Sequence, residues 1–439
     1  WWTIFKDDRL DTLVHRTVRQ NYQLRESRAR VRIARALHEA AERGHYPSLE
    51  ANAFYARTRS SENDPRGIAD LAEVGLASLE NNLFEGSFDA RWEIDVFGGI
   101  RRNVQASRAN LQAQNARRRD LMVSLLAEVA RNYVELREFQ NRQRWLQRSI
   151  QAQSDLVDRM TAQVEAGLLT QEFVLEEKAR LSELRSRKPN LQAGERASIY
   201  RLSVLAGTEP TVFQSLLTRR SSIKLPEGVV PLGLRSTLLR RRPDIRHAER
   251  RLAEATAEIG VATARLFPRF FLTGSTGQVS GSFSDLFSSA SQAWSFGPSF
   301  EWSIFQGGRI RSQIEAAREE KKAAFARYRQ TVLRVLEDVE TSLVQYGRSM
   351  VALERIREKE QSRSKRFERI RSRHQTGLAS EIEVLRVHSQ WSASRGELVE
   401  QKSTVLINLI DLYKALGGGW KFFDSQAFTT KFLEPGDQT

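Results

Sequence analysis

Apolar residues along this chain follow two different periods, and the switches between them divide it into elements. From about Asp11 to Gly44, Leu, Val and Ala recur at helical spacing among Arg and Glu, which predicts one helix ended by Pro47. Between about Tyr46 and Arg57 the period drops to two, with Leu49, Ala51, Ala53 and Tyr55 on one side. A polar stretch from Arg59 to Asn82, bearing Gly and Pro, reads as a loop. A clearer alternation follows: Phe84, Gly86, Phe88, Ala90, Trp92 and Ile94 face one way, and Glu85, Ser87, Asp89, Arg91 and Glu93 the other. Past Gly98-Gly99 the period lengthens again. Leu136, Phe139, Gln143, Leu146, Ile150, Gln153, Val157, Met160 and Val164 advance in steps of three and four, the seam of a coiled coil. A helix from near Ile100 to Glu165 would be ~100 Å long at 1.5 Å per residue.

The whole pattern then repeats. Val164-Glu-Ala-Gly167-Leu-Leu-Thr170 and Phe-Val174-Leu175 align with His374-Gln-Thr-Gly377-Leu-Ala-Ser380 and Glu-Val384-Leu385, at a constant offset of 210 positions. Arg269 to Gly277 is strand-like after Pro268, and Gly281 to Gln292 is a Ser-rich loop. Trp294, Phe296, Pro298, Phe300, Trp302 and Ile304 then alternate with Ala293, Ser295, Gly297, Ser299, Glu301 and Ser303. A second seam runs through Val332, Leu336, Val339, Leu343, Tyr346, Met350 and Leu353. Gly167 and Gly377 supply left-handed helix caps where the chain reverses, and Thr170 and Ser380 supply the N-caps of two returning helices. Pro189 is expected to interrupt or kink the first of these. The expected division is a first β-hairpin over 46–98, a first helical hairpin over 99–206, a second β-hairpin over 267–306 and a second helical hairpin over 307–416. Residues 207–233 and 417–439 are linking segments of the same duplicated unit, 1–439.

Composition narrows what such a chain can do. The net charge of +15 raises nucleic acid as a partner. The clusters Arg117-Arg118-Arg119 and Arg240-Arg241-Arg242 sit within helical patterns, however, with neither a compact recognition motif nor an aromatic stacking platform. A soluble, basic coiled-coil scaffold is therefore the rival reading rather than the leading one. Cysteine is absent from the 439 residues, which excludes disulfides, thiolate catalysis and Cys-based metal sites. The six histidines (His15, His38, His45, His247, His374, His388) show no metal-ligand spacing, and no phosphate loop or nucleophile motif occurs. No catalytic, cofactor or metal site is expected; His374, at a tip position, reads as a packing or contact residue.

No apolar run approaches the ~18 residues of a membrane-spanning helix, but the alternating runs match the ~9–11 residues of a tilted membrane strand. Phe84, Phe88, Trp92, Trp294, Phe296, Phe300 and Trp302 are then the membrane-facing aromatics, with Trp92 and Trp302 near strand ends where a girdle would lie. A half-buried strand on a soluble sheet gives the same period, yet it needs a covering layer that long two-sided polar helices do not offer. Four strands cannot close a membrane barrel, which starts at about eight, so the chain must share one with copies of itself. Helices continuing such a barrel on one side would make a conduit. The chain opens abruptly on Trp1-Trp2, and an upstream segment is expected to have been removed.

Leu239-Arg-Arg-Arg-Pro243-Asp244-Ile245-Arg246-His-Ala248-Glu249, continuing through Ile259-Gly260-Val261-Ala262 to Phe267-Pro268, resembles the outer-membrane factor family of TolC, OprM and NodT-type lipoproteins. So do Trp92-Glu-Ile-Asp95-Val-Phe97-Gly98, Trp302-Ser-Ile-Phe305-Gln-Gly307-Gly308-Arg309 and Leu412-Tyr413-Lys-Ala415-Leu416-Gly-Gly-Gly419-Trp420. The resemblance spans nearly the whole chain in the right order. It implies a mixed α and β fold: a homotrimeric transmembrane β-barrel, four strands per chain, continued by a long periplasmic α-helical barrel of coiled coils. It implies a passive efflux duct in the outer membrane of a Gram-negative bacterium, in contact with outer-membrane lipid. Its partners would be a periplasmic adaptor and a proton-driven inner-membrane transporter, with no nucleic acid. A type I protein-secretion duct fits the same residues. Many relatives carry a lipidated Cys near the mature N-terminus, which here would have to lie upstream of Trp1.

By the same resemblance, Gly167, Leu168, Thr170, Gly377, Leu378 and Ser380 are the adaptor-docking tips, although two capped hairpins need such turns in any case. Ile382, Glu383 and Arg386 fall at the periplasmic gate, where relatives carry acids that narrow the pore. Arg386 stands where Asp is common. Three copies would repel one another unless each is offset by Glu383 or by a neighbour's Glu383, giving mixed-charge rings; a plain surface i,i+3 pair is the alternative.

Overall fold

The structure is a computed structural model that describes residues 1–63, 78–219, 221, 225–226 and 241–424. Parts of the expected loop at 64–77, of the linking segments at 222–224, 227–233 and 425–439, and Leu239 and Arg240 of the family motif lie outside the described residues. After a 3₁₀ turn at Trp2–Phe5 come α1 (Asp8–Gln20), α2 (Tyr22–Arg43), β1 (Ser48–Arg59), β2 (Glu80–Ile94), α3 (Gly99–Glu165), α4 (Gln171–Leu205) and α5 (Gln214–Leu217). The second half contributes α6 (Pro243–Ala264), β3 (Arg269–Ser280), β4 (Gln292–Glu301), α7 (Arg309–Gln375), α8 (Glu381–Ala415) and α9 (Trp420–Asp424). The duplication is exact in length: α3 and α7 have 67 residues each, and α4 and α8 have 35 each. The chain divides into two compact units, one of Trp1–Val31, Gln114–His247 and Tyr328–Thr439, the other of Arg32–Ala113 and Ala248–Arg327.

In the first unit the core forms where α1 and the 3₁₀ turn bury Trp2, Phe5, Leu10, Leu13, Val14 and Val18 against α3, α4 and α8. Arg137 lies inside it at 2% exposure. A buried charge is costly unless hydrogen-bonded, and its guanidinium donates to Gln140, to the Leu217 and Arg219 carbonyls and to the Tyr133 hydroxyl. Tyr133 donates in turn to Asp7 at 2.8 Å, and burial pushes its hydroxyl up to about 12. Beyond this core the helices pair along narrow seams. Ile150 and Val157 of α3 meet Leu181 of α4, and Leu353 of α7 meets Leu398 and Val405 of α8.

Three expectations need correction. The single helix from Asp11 to Gly44 is two helices, separated at Asn21, whose backbone is extended (φ −60°, ψ 126°). Its amide donates to the Leu205 carbonyl at 2.9 Å and its oxygen accepts the Leu24 N–H, so a buried tertiary contact breaks a helical pattern. Pro189 does not interrupt α4, which runs through it. The flanking turns are tied to α3, for Leu181 and Leu184 pack on Ile150 and Val157, and Gln143 bonds the Leu191 carbonyl at 3.0 Å. Met350 is exposed, and Ser349 takes the seam position. A small residue there lets α8 approach until Gln401 donates to the Ser349 carbonyl at 3.0 Å.

The second unit holds a four-stranded antiparallel sheet in the order β1-β2-β3-β4. Trp92 pairs with Leu272 where the two halves join. The last strand ends at Glu301, so Trp302 and Ile304 lie just past it. No helix among the described residues is long and apolar enough to cross a membrane.

Asp120 on α3, in the first unit, provides a test of packing. Burial, and then the nearby Asp244 carboxylate, push its pKa from 3.8 to about 6 against the pull of Arg242 and Lys414. A carboxyl raised on folding stabilises below its unfolded pKa, and that contribution is lost as pH rises through the folded value. Asp120→Asn should therefore raise the thermal midpoint at pH 7.5, by roughly 1–3 kcal/mol of stability, and the gain should shrink towards zero at pH 4. Circular-dichroism melts at both pH values check this.

Candidate functional site

Opposed residues of paired strands point to one side, so the register assigns the two faces of the sheet. One face carries Leu49, Ala51, Ala53 and Tyr55; Phe84, Gly86, Phe88, Ala90, Trp92 and Ile94; Phe270, Leu272, Gly274 and Thr276; and Trp294, Phe296, Pro298 and Phe300. None of these is charged, and Phe88, Trp294, Phe296 and Phe300 are exposed on it. Charge returns at the loop end, where Arg57 meets Glu80 at 2.6 Å. From Phe84 to Ile94 this face runs ~33 Å along the strand at ~3.3 Å per residue, or about the 25 Å apolar band of a tilted membrane strand.

The other face is polar and internally paired. Asp89 accepts from Asn52 at 2.8 Å and from Ser87 at 2.9 Å. Arg91 reaches across β3 to Glu301 at 2.8 Å, and Arg269 pairs with Glu93. Both guanidinium groups lie over the ring of Phe271, which is only 3% exposed. At the helix-joined ends the duplication reappears in detail. Trp92 donates its indole N–H to the His45 carbonyl at 2.8 Å, and Trp302 donates to the Leu266 carbonyl at 3.1 Å, each just before the neighbouring strand. The sequence led to the expectation that these tryptophans lie at a membrane girdle; their contacts with the backbone at the strand entry are seen only in the structure.

In the first unit, both glycine turns close the same way. Gly167 (φ 73°) donates to Val164 and Leu168 to Gln163, and Gly377 (φ 77°) donates to His374 and Leu378 to Arg373. This is the Schellman geometry, which a side chain at the glycine would strain. Ser380 accepts from the Glu383 N–H, as an N-cap should. Thr170 occupies the equivalent position with extended backbone (ψ 151°) but makes no side-chain cap bond. His374 donates from Nδ1 to the Ala379 carbonyl at 2.9 Å, so it braces the turn. Leu168 and Leu378 are left 75% and 68% exposed.

Behind the turns, the two hairpins are joined. Leu169, Ile382 and Leu385 pack against a cluster of Leu156, Met160 and Val174, so Ile382 is a contact between hairpins. Arg386 does not pair with Glu383 within the chain: its Nε lies 3.6 Å from Oε1 of Glu177 on α4. Glu177 is buried and also accepts from Gln153 at 2.6 Å, and Ser389 bonds Gln153 from the other side. Arg159 of α3 pairs with Glu381 of α8 at 3.1 Å. Gln153 was legible only as a seam position, and Glu177, Arg159 and Glu381 carried no signal in the sequence, because their partners lie more than 200 positions away or on a helix whose register is set elsewhere.

Residues 13–208 and 234–418 match the outer membrane efflux protein family. The chain belongs to that family. It is 26% identical to Nodulation protein T of Rhizobium leguminosarum bv. viciae over 96% of this chain and 84% of that protein. It is 27% identical to the solvent efflux pump outer membrane protein SrpC of Pseudomonas putida over 95% and 86%. Among solved structures, the outer-membrane channel OprN superposes with a TM-score of 0.86 at 31% identity, covering 96% of this chain and 92% of that one. An outer membrane efflux protein is the exit duct of a tripartite pump, working as a trimer with a periplasmic adaptor and an inner-membrane transporter. The fold is accordingly a shared transmembrane β-barrel with four strands per chain and a periplasmic helical barrel. On this fold the uncharged face of the sheet is the one expected to meet lipid, and the ion-paired face the one expected to meet water. The soluble nucleic-acid scaffold finds no support.

Ala90→Arg, near the middle of the lipid side, should cost about 2–4 kcal/mol and remove the heat-sensitive trimer from outer-membrane fractions. Ser295→Arg on the aqueous side should assemble normally and lower single-channel conductance. Equal trimer yields would refute the assignment of faces.

Proposed function

We propose that this duct is passive, that it carries small molecules handed on by a proton-driven transporter, and that its two glycine turns are where the adaptor docks. The docking reading rests on Leu168 and Leu378: exposed leucines, without an apolar covering, on turns whose backbone is already locked by caps. Preorganised apolar knobs lose little freedom on binding, which favours them as contact points. The cargo reading is supported by relatives named as solvent and toluene efflux proteins, SrpC and TtgI of Pseudomonas putida. Leu168→Asp with Leu378→Asp should leave trimer formation and conductance unchanged while abolishing efflux-dependent solvent tolerance and adaptor cross-linking. Full tolerance in the double variant would contradict the assignment.

The gate reading follows from the same end of the molecule. Glu383 and Arg386 would form mixed-charge rings in the trimer, with Ile382 holding the helix that carries them against the first hairpin. Arg386 is offset by Glu177 of its own chain, at 3.6 Å, which leaves Glu383 as the free acid of the pair. A charge buried beside its partner becomes costly when that partner is reversed. Arg386→Asp would set two carboxylates together, so it should loosen the two hairpins, raise conductance and shift selectivity towards cations. Bilayer recordings that show unchanged conductance and selectivity would remove both residues from the gate.

A further inference from the structure

The loop between β3 and β4 carries two phenylalanines that the barrel itself does not need. Phe283 and Phe287 are 63% and 78% exposed, yet they are not isolated. Phe283 meets Phe84 edge-on, with centroids 5.7 Å apart, and Phe287 edge-on at 6.2 Å. Phe84 in turn lies 4.6 Å from Tyr55. Tyr55 and Phe84 are the last residues of the lipid-side face before the charged pair Arg57 and Glu80. The four rings thus continue the lipid side of the wall beyond the strands, at the level where aromatic side chains favour a membrane interface.

The loop is also built to tolerate lipid. Its one charged residue from Gly281 to Ser291 is Asp285. Part of its backbone is bonded internally: Ser288 N–H donates to the Asp285 carbonyl at 2.9 Å, Ser291 Oγ to the same carbonyl at 2.7 Å, and Ser282 N–H to Ser280 Oγ at 3.1 Å. Each backbone group bonded within the turn need not be hydrated, which lowers the cost of lying at the membrane interface, where the remaining groups can still reach water. A loop folded over an aqueous mouth would have no use for two exposed rings that join the lipid-facing column.

We propose that the β3–β4 loop lies outward in the outer leaflet, with Phe283 and Phe287 inserted among lipid as an anchor at the outer rim of the barrel. This rests on the lipid-side assignment of the sheet and extends it to a segment outside the strands. Because the chain has no cysteine, single variants Phe283→Cys and Phe287→Cys can carry an environment-sensitive fluorophore in the full trimer, reconstituted in phospholipid vesicles. Phe296→Cys serves as the lipid-side reference and Ser295→Cys as the aqueous one. Both loop probes should be blue-shifted and quenched by spin-labelled phospholipid at least half as strongly as the Phe296 probe, with iodide quenching under a third of that at Ser295. Iodide quenching equal to the Ser295 probe would overturn the anchor while leaving the wall intact, whereas iodide quenching of the Phe296 probe would overturn both. Conductance of the Phe283→Ala, Phe287→Ala double variant should stay within a tenth of the parent; a twofold rise would mean that the loop covers the mouth, and the proposal would fail.

Discussion

A sheet exposed to hydrocarbon must satisfy every backbone N–H and C=O without water, and four strands with two open edges cannot do so alone. β1 and β4 are those edges, and the face they share with β2 and β3 is uncharged from Leu49 to Tyr55 and from Phe84 to Ile94. In water such a sheet would be an aggregation hazard. In the membrane it has one resolution, closure with further copies, which the family achieves as a trimer. A polar face turned to water would let Arg91, Glu301, Arg269 and Glu93 keep their charges.

Duplication solves the matching problem on the helical side. Identical helix lengths and identical turn geometry let each half supply the same hairpin, so both turns present the same exposed leucine. The halves diverge where they must contact each other rather than a partner. The first hairpin contributes a buried acid, Glu177, and the second an arginine, Arg386, to one junction. A symmetric pair of like charges could not make that contact. The duplication therefore holds for the backbone and is broken at the side chains that join its two copies.

Much of the architecture was legible because periodicity is local. A residue two or seven positions along a strand or helix points where backbone geometry sends it, whatever the rest of the chain does. The four strands, the two long helices, and the reversals at Gly167 and Gly377 could be read in that way. The readings that failed share one cause. Asn21 breaks a good helical pattern because its amide reaches the Leu205 carbonyl, and Ser349 displaces Met350 from a seam because α8 comes close. Hydrophobicity alone ranks methionine above serine and cannot anticipate either contact.

By itself, the amino-acid order determined the periods, the repeat at 210 positions, the separation of charged from uncharged sides on each strand and the places where the chain turns back. Only the tertiary structure decided that Arg386 is held by Glu177, that Trp92 and Trp302 clamp backbone carbonyls, and that Phe283 meets the ring of Phe84 edge-on. The first set depends on bond geometry within a few residues. The second depends on the register between elements far apart in the chain, which is a sum over many weak contacts and is written in no single segment.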